Sequence, residues 1–213
     1  MAVSIRDGSL SNINRSVLSK PALTNLFQVD LSVDDVGRGE ASEGDRLKDF
    51  LLRRGLTSDY ISRDIGIACY EASLPASSFA TAEVKDNFQG INQQFAHTRF
   101  YVDSSFSFYV DQDYRVLNLF EGWMDFIAGG VGGLDANDKR FYVRMRYPDA
   151  YKCNNLAISK FDKNLDRKLT YEFKNAFPKS IQSIPVSYGQ AEVLKVTVTF
   201  AYDRYIVTRK PFN

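Results

Sequence analysis

One histidine, one tryptophan and two cysteines are all that this 213-residue chain holds of those residue types. With His97 alone there is no two-histidine metal face and no HExxH motif. A serine hydrolase would have to use His97 itself, without a GxSxG elbow. Cys69 and Cys153 lie far apart and form no CxxC pair, which predicts two small buried thiols in a reducing compartment. No apolar run reaches the roughly 18 residues that cross a bilayer, and the N-terminus does not read as a signal peptide. The expectation is a protein made in a cytoplasm without a membrane anchor. Charge of one sign is also lacking: 27 basic residues face 26 acidic ones, for a formal net charge of +1. Without a basic run or tail, the electrostatic footprint of a dedicated nucleic-acid binder is missing.

Two short motifs fail on their surroundings. Gly129-Gly130-Val131-Gly132-Gly133 looks like a phosphate-cradling loop, but such loops follow a strand and open a helix, whereas this one follows a helix and lacks the GK[ST] ending. It reads as a flexible loop. Asp162, Asn164 and Asp166 alternate like the start of a calcium loop, yet Arg167 replaces the required glycine and Phe173 stands where the bidentate glutamate belongs. The segment reads as a polar hairpin tip. Asp34-Asp35 sits in a solvated stretch without an acid/base role. No catalytic residue, cofactor or metal is expected.

What the chain does have is aromatic residues, 16 Phe and 12 Tyr, in alternating patterns. Leu194, Val196, Val198, Phe200 and Tyr202 alternate with Lys195, Thr197, Thr199, Ala201 and Asp203, writing one apolar and one mostly polar face onto a strand. Residues 25–33 read likewise, with Phe27, Val29, Leu31 and Val33 on the apolar side. Further strands are predicted over 67–74, 81–87, 93–102, 105–110, 141–147, 155–161 and 169–177, with a turn at Gln89-Gly90. Phe95 and Tyr101 on one face of 93–102, and Ala96, Phe100 and Val102 on the other, predict a strand covered twice. The cover is either the chain's own interior or a neighbouring subunit.

Two helices are predicted. Val116, Leu117, Phe120, Trp123, Met124 and Ile127 recur at helical spacing after Asp113, a candidate cap, and before Gly129-Gly130. Trp123 should pin this helix to a sheet. Ser42 and Asp45 stand in capping-box spacing ahead of the stripe Leu47, Phe50 and Leu51, with Arg53, Arg54 and Gly55 at the far end. That stripe serves either as a lid on a sheet edge or as a docking element. Residues 1–20 read as an arm and 21–213 as a single, mainly β domain in which 34–65 is an insertion.

Phe177-Pro178, through to Val198-Thr199-Phe200-Ala201-Tyr202-Asp203, resembles the C-terminal signature of tail tube proteins of contractile-tailed bacteriophages. Asn25-Leu26-Phe27-Gln28-Val29 and Ala72-Ser73-Leu74-Pro75-Ala76 match the same family in the same order. The resemblance covers residues 20–33 and 66–205. It implies two packed antiparallel sheets forming a β-barrel or sandwich, with a flanking α-helix besides the helical insertion. It further implies a homo-hexamer stacking into a tube within a virion, meeting tail sheath, baseplate and tail terminator proteins. DNA would pass through the lumen without specific contact, along a wall poor in net positive charge. Subunit contacts would then fall on Phe95, Phe100 and Tyr101, on Leu47, Phe50 and Leu51, and on Gly132 and Gly133. A baseplate tube initiator, or the inner tube of a contractile injection or secretion system, is the nearer alternative. A small β-barrel enzyme or ligand-binding protein, which requires a deep pocket with convergent polar groups, is the remote one.

Overall fold

The computed structural model describes residues 21–34, 36, 46–85, 90, 92–129, 145–189 and 191–209. Period-2 alternation decides its layers. The first sheet has the order β1 (Phe27–Leu31), β6 (Leu156–Phe161), β7 (Arg167–Lys174), β10 (Arg204–Arg209). The second has the order β2 (Cys69–Ala72), β5 (Ser104–Tyr109), β9 (Lys195–Ala201), β8 (Phe177–Ile181). Every neighbouring pair is antiparallel. Val29, Leu31, Leu156, Ile158 and Phe173 of one sheet face Phe106, Phe108, Val196, Val198 and Phe200 of the other, all buried. The two layers meet where Phe106 crosses Phe173 edge to face at 5.9 Å. Burying each such ring contributes roughly 2 kcal/mol.

Helix α3 (Arg115–Ile127) closes one side of this sandwich. Phe120 lies 5.0 Å from Phe108 and 5.9 Å from Phe200, and Trp123 lies 6.2 Å from Phe200 while donating its indole N–H to the Tyr151 carbonyl. Trp123 pins the helix as its spacing predicts. The cap differs: Asp111, not Asp113, accepts the Arg115 amide at 2.8 Å. Tyr114 at φ 53 turns the chain so that the earlier aspartate reaches the first turn. Gly129, at φ 91, follows the helix C-terminus.

Helix α1 (Leu47–Arg53) packs on α3. Its N-cap is Arg46, and the predicted cap residues Ser42 and Asp45 lie outside the described residues. Gly55, at φ 91, follows its end as expected. A π-helical turn, Tyr60–Asp64, runs into the short α2 (Ile65–Ile67), and Leu56, Tyr60, Ile61 and Ile65 join the same core. A one-turn helix, α4 (Pro148–Tyr151), precedes β6.

Three strand expectations are corrected. Residues 169–177 do not form one strand. Asn175 adopts φ 58, Ala176 exchanges backbone hydrogen bonds with Cys153, and the chain leaves the first sheet there to enter the second as β8. Phe177–Ile181 is therefore a separate strand, and Pro178 is tolerated because β8 is an edge. Strand β10 is not foreseen at all, since Tyr205, Val207 and their polar neighbours follow directly on the alternation of β9. Of the predicted strand 141–147, residues 141–144 lie outside the described set, and 145–147 are irregular backbone leading into α4.

Candidate assembly surfaces

Among the described residues, strands β3 (Ser77–Val84) and β4 (Gln93–Tyr101) pair only with each other and continue β2 and β5 beyond the sandwich as a two-stranded hairpin. The bond from the Val102 amide to the Ala76 carbonyl carries the ladder across the join. Both faces of β4 are open in the single chain, so of the two covers predicted for this strand the chain's own interior is ruled out: Phe95 is 54% exposed and Phe100 53%, with Phe79 at 60% on the partner strand. Leaving the sheet removes the layers that would cover it. A two-stranded hairpin is at best marginally stable in water by itself.

The base of the hairpin is clamped to β10. Arg99 donates to Ser77 Oγ at 3.0 Å and to the Tyr205 hydroxyl at 3.2 Å, and its guanidinium lies 5.0 Å from the Tyr101 ring centre and 5.5 Å from that of Tyr205. Tyr101 packs edge-on against Tyr205 at 5.4 Å. The Tyr202 hydroxyl donates to the Val102 carbonyl. Desolvation, with Tyr205, Asp103 and Tyr101 nearby, pushes that phenol up to about 12, so it stays a donor. Sequence reasoning singled out Tyr101 but missed Arg99 and Tyr205; an arginine set among alternating aromatics was the available signal.

The other predicted contact residues lie elsewhere. Leu47 and Leu51 are fully buried in the chain's own core, and Phe50 meets the Phe126 ring at 5.6 Å. Arg54 fastens α1 to α3 through Asp125 at 2.6 Å and Asn118 at 3.2 Å. A Cβ at Gly122 would come within 2.9 Å of the Leu51 side chain, so the two helices approach closely at that glycine. Gly132 and Gly133 lie outside the described residues. The structure thus brings Phe95, Phe100 and Tyr101 together on the hairpin and keeps Leu47, Phe50 and Leu51 in a separate interior layer.

Among the described residues, no three His, Cys, Asp or Glu side chains converge as a metal site. The Asp162–Asp166 segment is the tip of the β6–β7 hairpin, closed by the Leu165 amide on the Asp162 carbonyl and the Lys163 amide on the Asp162 carboxylate. His97 lies on the exposed hairpin with its Nδ1 2.7 Å from Thr98 Oγ1. An open polar groove of about 680 Å³, lined by residues such as Asp30, Arg63, Glu172 and Lys174, runs along the outer side of the first sheet.

This fold is similar to that of chains solved in contractile injection machines. Similar structures include a chain of the six-fold symmetrised baseplate of the anti-feeding prophage, at TM-score 0.56 and 12% identity over 89% of this chain and 96% of that one. A chain of the sheath-tube complex of the extracellular contractile injection system PVC, in the extended state, has TM-score 0.52 and 15% identity over 96% of this chain and 100% of that one. A chain of the anti-feeding prophage tube-terminating cap has TM-score 0.51 and 16% identity over 89% and 92%. The phage tail tube protein family matches residues 22–208, and the chain belongs to that family. No curated protein matches it. The family is one of structural tube proteins.

Proposed function

We propose that copies of this chain close into hexameric rings that stack into the inner tail tube of a contractile phage, a conduit for DNA during ejection. The observation that carries the reading is the hairpin β3–β4: a family match over residues 22–208 coincides with a projecting element that exposes Phe79, Phe95 and Phe100. Apolar surface of this kind on a projecting ribbon is suited to burial against another protein, and a second copy of the same chain is the partner that a tube supplies. The open ends of the tube then meet baseplate and terminator proteins, its outer wall meets the sheath, and the assembled particle is where the protein resides. The role is geometric, without a catalytic step. The chain is built as one tube domain, residues 21–213, preceded by an arm at 1–20, with 34–65 inserted.

A second reading has its own support. The similar folds include a chain from the sheath-tube complex of an extracellular contractile injection system and one from the anti-feeding prophage baseplate, so an inner-tube or baseplate-proximal component of such a machine would use the same surfaces.

Light scattering of the purified protein beside a Phe95→Ser, Phe100→Ser double variant tests the proposal. Neither ring belongs to the buried core, so the variant should fold. Wild-type protein is expected at six copies or in longer stacks, and the variant is expected to lose the longer stacks. Assembly of the variant indistinguishable from wild type would overturn the role given to the hairpin. A wild-type chain that stays monomeric at high concentration would overturn the main-tube reading.

A further inference from the structure

We infer that Arg99 is a positioning residue for assembly: it clamps one side of the β3–β4 hairpin to the chain's own β10, so that the opposite side, which carries Phe95 and Phe100, is turned outward before a second copy arrives. This rests on the tube reading above and names the group that sets the pose of its projecting element.

The pairing register assigns the two sides. Ser77 lies opposite Tyr101 and Phe79 opposite Arg99, so these four side chains share one side of the ribbon. Phe100, opposite Ser78, belongs to the other. Between Ala80 and Thr81 the partner jumps from Thr98 to Ala96, which leaves His97 as the extra residue of a β-bulge. The 2.7 Å approach of His97 Nδ1 to Thr98 Oγ1 fits a bulge, since neighbours on an unbroken strand point to opposite faces. The bulge changes where Phe95 goes. Counted along an unbroken strand it would share a side with Tyr101, but it pairs with Ala82, which lies on the side of Ser78. Phe95, Phe100 and Val84, all exposed, therefore gather on the side away from Arg99.

The backbone alone aims this ribbon weakly. It joins the second sheet through residues 73–76 and 102–103, where Pro75 has no amide to donate. Among the described residues, backbone bonds at this join run from the Ser73 amide to the Ser105 carbonyl and from the Val102 amide to the Ala76 carbonyl. A ribbon on so narrow a join pivots unless side chains hold it.

Arg99 is placed to hold it. Its guanidinium bonds Ser77 Oγ on the ribbon and the Tyr205 hydroxyl on β10, and these two oxygens are themselves 3.3 Å apart, which closes a triangle across the gap. Tyr205 in turn meets the Tyr171 ring at 5.8 Å and the Tyr202 ring at 6.5 Å, and Tyr202 packs on Phe173 of the core at 4.8 Å. The clamp thus runs from the ribbon into the sandwich. A planar guanidinium can bond two hydroxyls while lying on two rings, which a lysine ammonium cannot do. Fixing the ribbon in the single chain removes an ordering cost that association would otherwise bear.

The test pairs hydrogen exchange of the protein, diluted until it is single chains, with light scattering across concentration, for wild type, Arg99→Ala, Arg99→Lys and Tyr205→Phe. Arg99→Ala is expected to speed exchange of the β3 and β4 amides roughly tenfold, to leave those of β5 and β9 and the urea midpoint unchanged, and to raise the concentration needed for stacking by a similar factor. Arg99→Lys should stay close to Arg99→Ala, and Tyr205→Phe, which stands in should Arg99→Ala fail to fold, should show a smaller effect in both readouts. Unchanged hairpin exchange with weakened stacking would overturn the inference, because Arg99 would then be a direct contact to the second copy. Faster exchange with unaltered stacking, or full recovery in Arg99→Lys, would overturn it as well and leave the tube reading standing. Wild-type protein that never assembles would overturn the tube reading, and the assembly role of Arg99 with it.

Discussion

Asn175 Nδ2 donates a hydrogen bond to Asp203 Oδ2 at 2.7 Å, and so ties together two tight corners at which the chain passes between sheets. Asn175 stands where β7 gives way to β8, and Asp203 where β9 gives way to β10. Lys152 adds a second tether to the same carboxylate at 3.0 Å.

Asp203 should therefore make stability depend on acid. Partial burial pushes its carboxyl up, but the hydrogen bonds from Asn175 and Lys152, with the charges of Lys152 and Arg204, outweigh this and hold it below the ordinary aspartate value of 3.8. A depressed value means that the folded state binds fewer protons there than the unfolded state. The stabilising contribution is full above the ordinary value and is lost as pH falls through the folded one. Asp203→Asn is expected to cost about 1 kcal/mol at pH 7, because the side chain is half exposed, and little in strong acid. Urea unfolding of both proteins across this range reads the difference, and an equal gap at every pH would contradict it.

Gly66→Ala should destabilise the fold by about 1 to 3 kcal/mol, since the new methyl meets the Val29 carbonyl, backbone rather than a side chain that can move. Thermal unfolding is the measurement. An unchanged midpoint would mean that α2 does not lie against β1 at Gly66.

The Cys69 thiol should be inert. Burial pushes it up to about 12, with backbone hydrogen bonds from the Glu71 and Ser107 regions lowering it only in part, so almost no thiolate exists at neutral pH. Cys153 is buried as well. Native protein is expected to react slowly with iodoacetamide at pH 8 and rapidly once unfolded in urea. Fast labelling of Cys69 in the native state would contradict the environment assigned to it.

Much of this architecture was legible in the sequence because burial on one face imposes a period. Val196, Val198 and Phe200, and likewise Val29 and Leu31, alternate because a core lies on one side only, and Trp123 with Phe120 recurs at helical spacing for the same reason. Corners leave no such period. Asn175 and Asp203 act through side-chain hydrogen bonds that leave no trace in the alternation, so residues 169–177 read as one strand and residues 204–209 were assigned to none. The cap was misread because Tyr114, at φ 53, brings Asp111 into a place that spacing gives to Asp113. On the hairpin, apolar residues on both faces of β4 left two covers open, the chain's own interior or a neighbouring subunit, and the structure shows only that the single chain leaves Phe95 and Phe100 exposed. Alternation tells that a face is to be covered; it does not tell by which chain.

The most direct test of the central claim is electron microscopy of the purified protein at high concentration, with end-on views sorted by symmetry. The account predicts rings of six copies around an open pore and, in side view, stacks of such rings. A uniform population of single subunits, or rings of another symmetry without a pore, would contradict it.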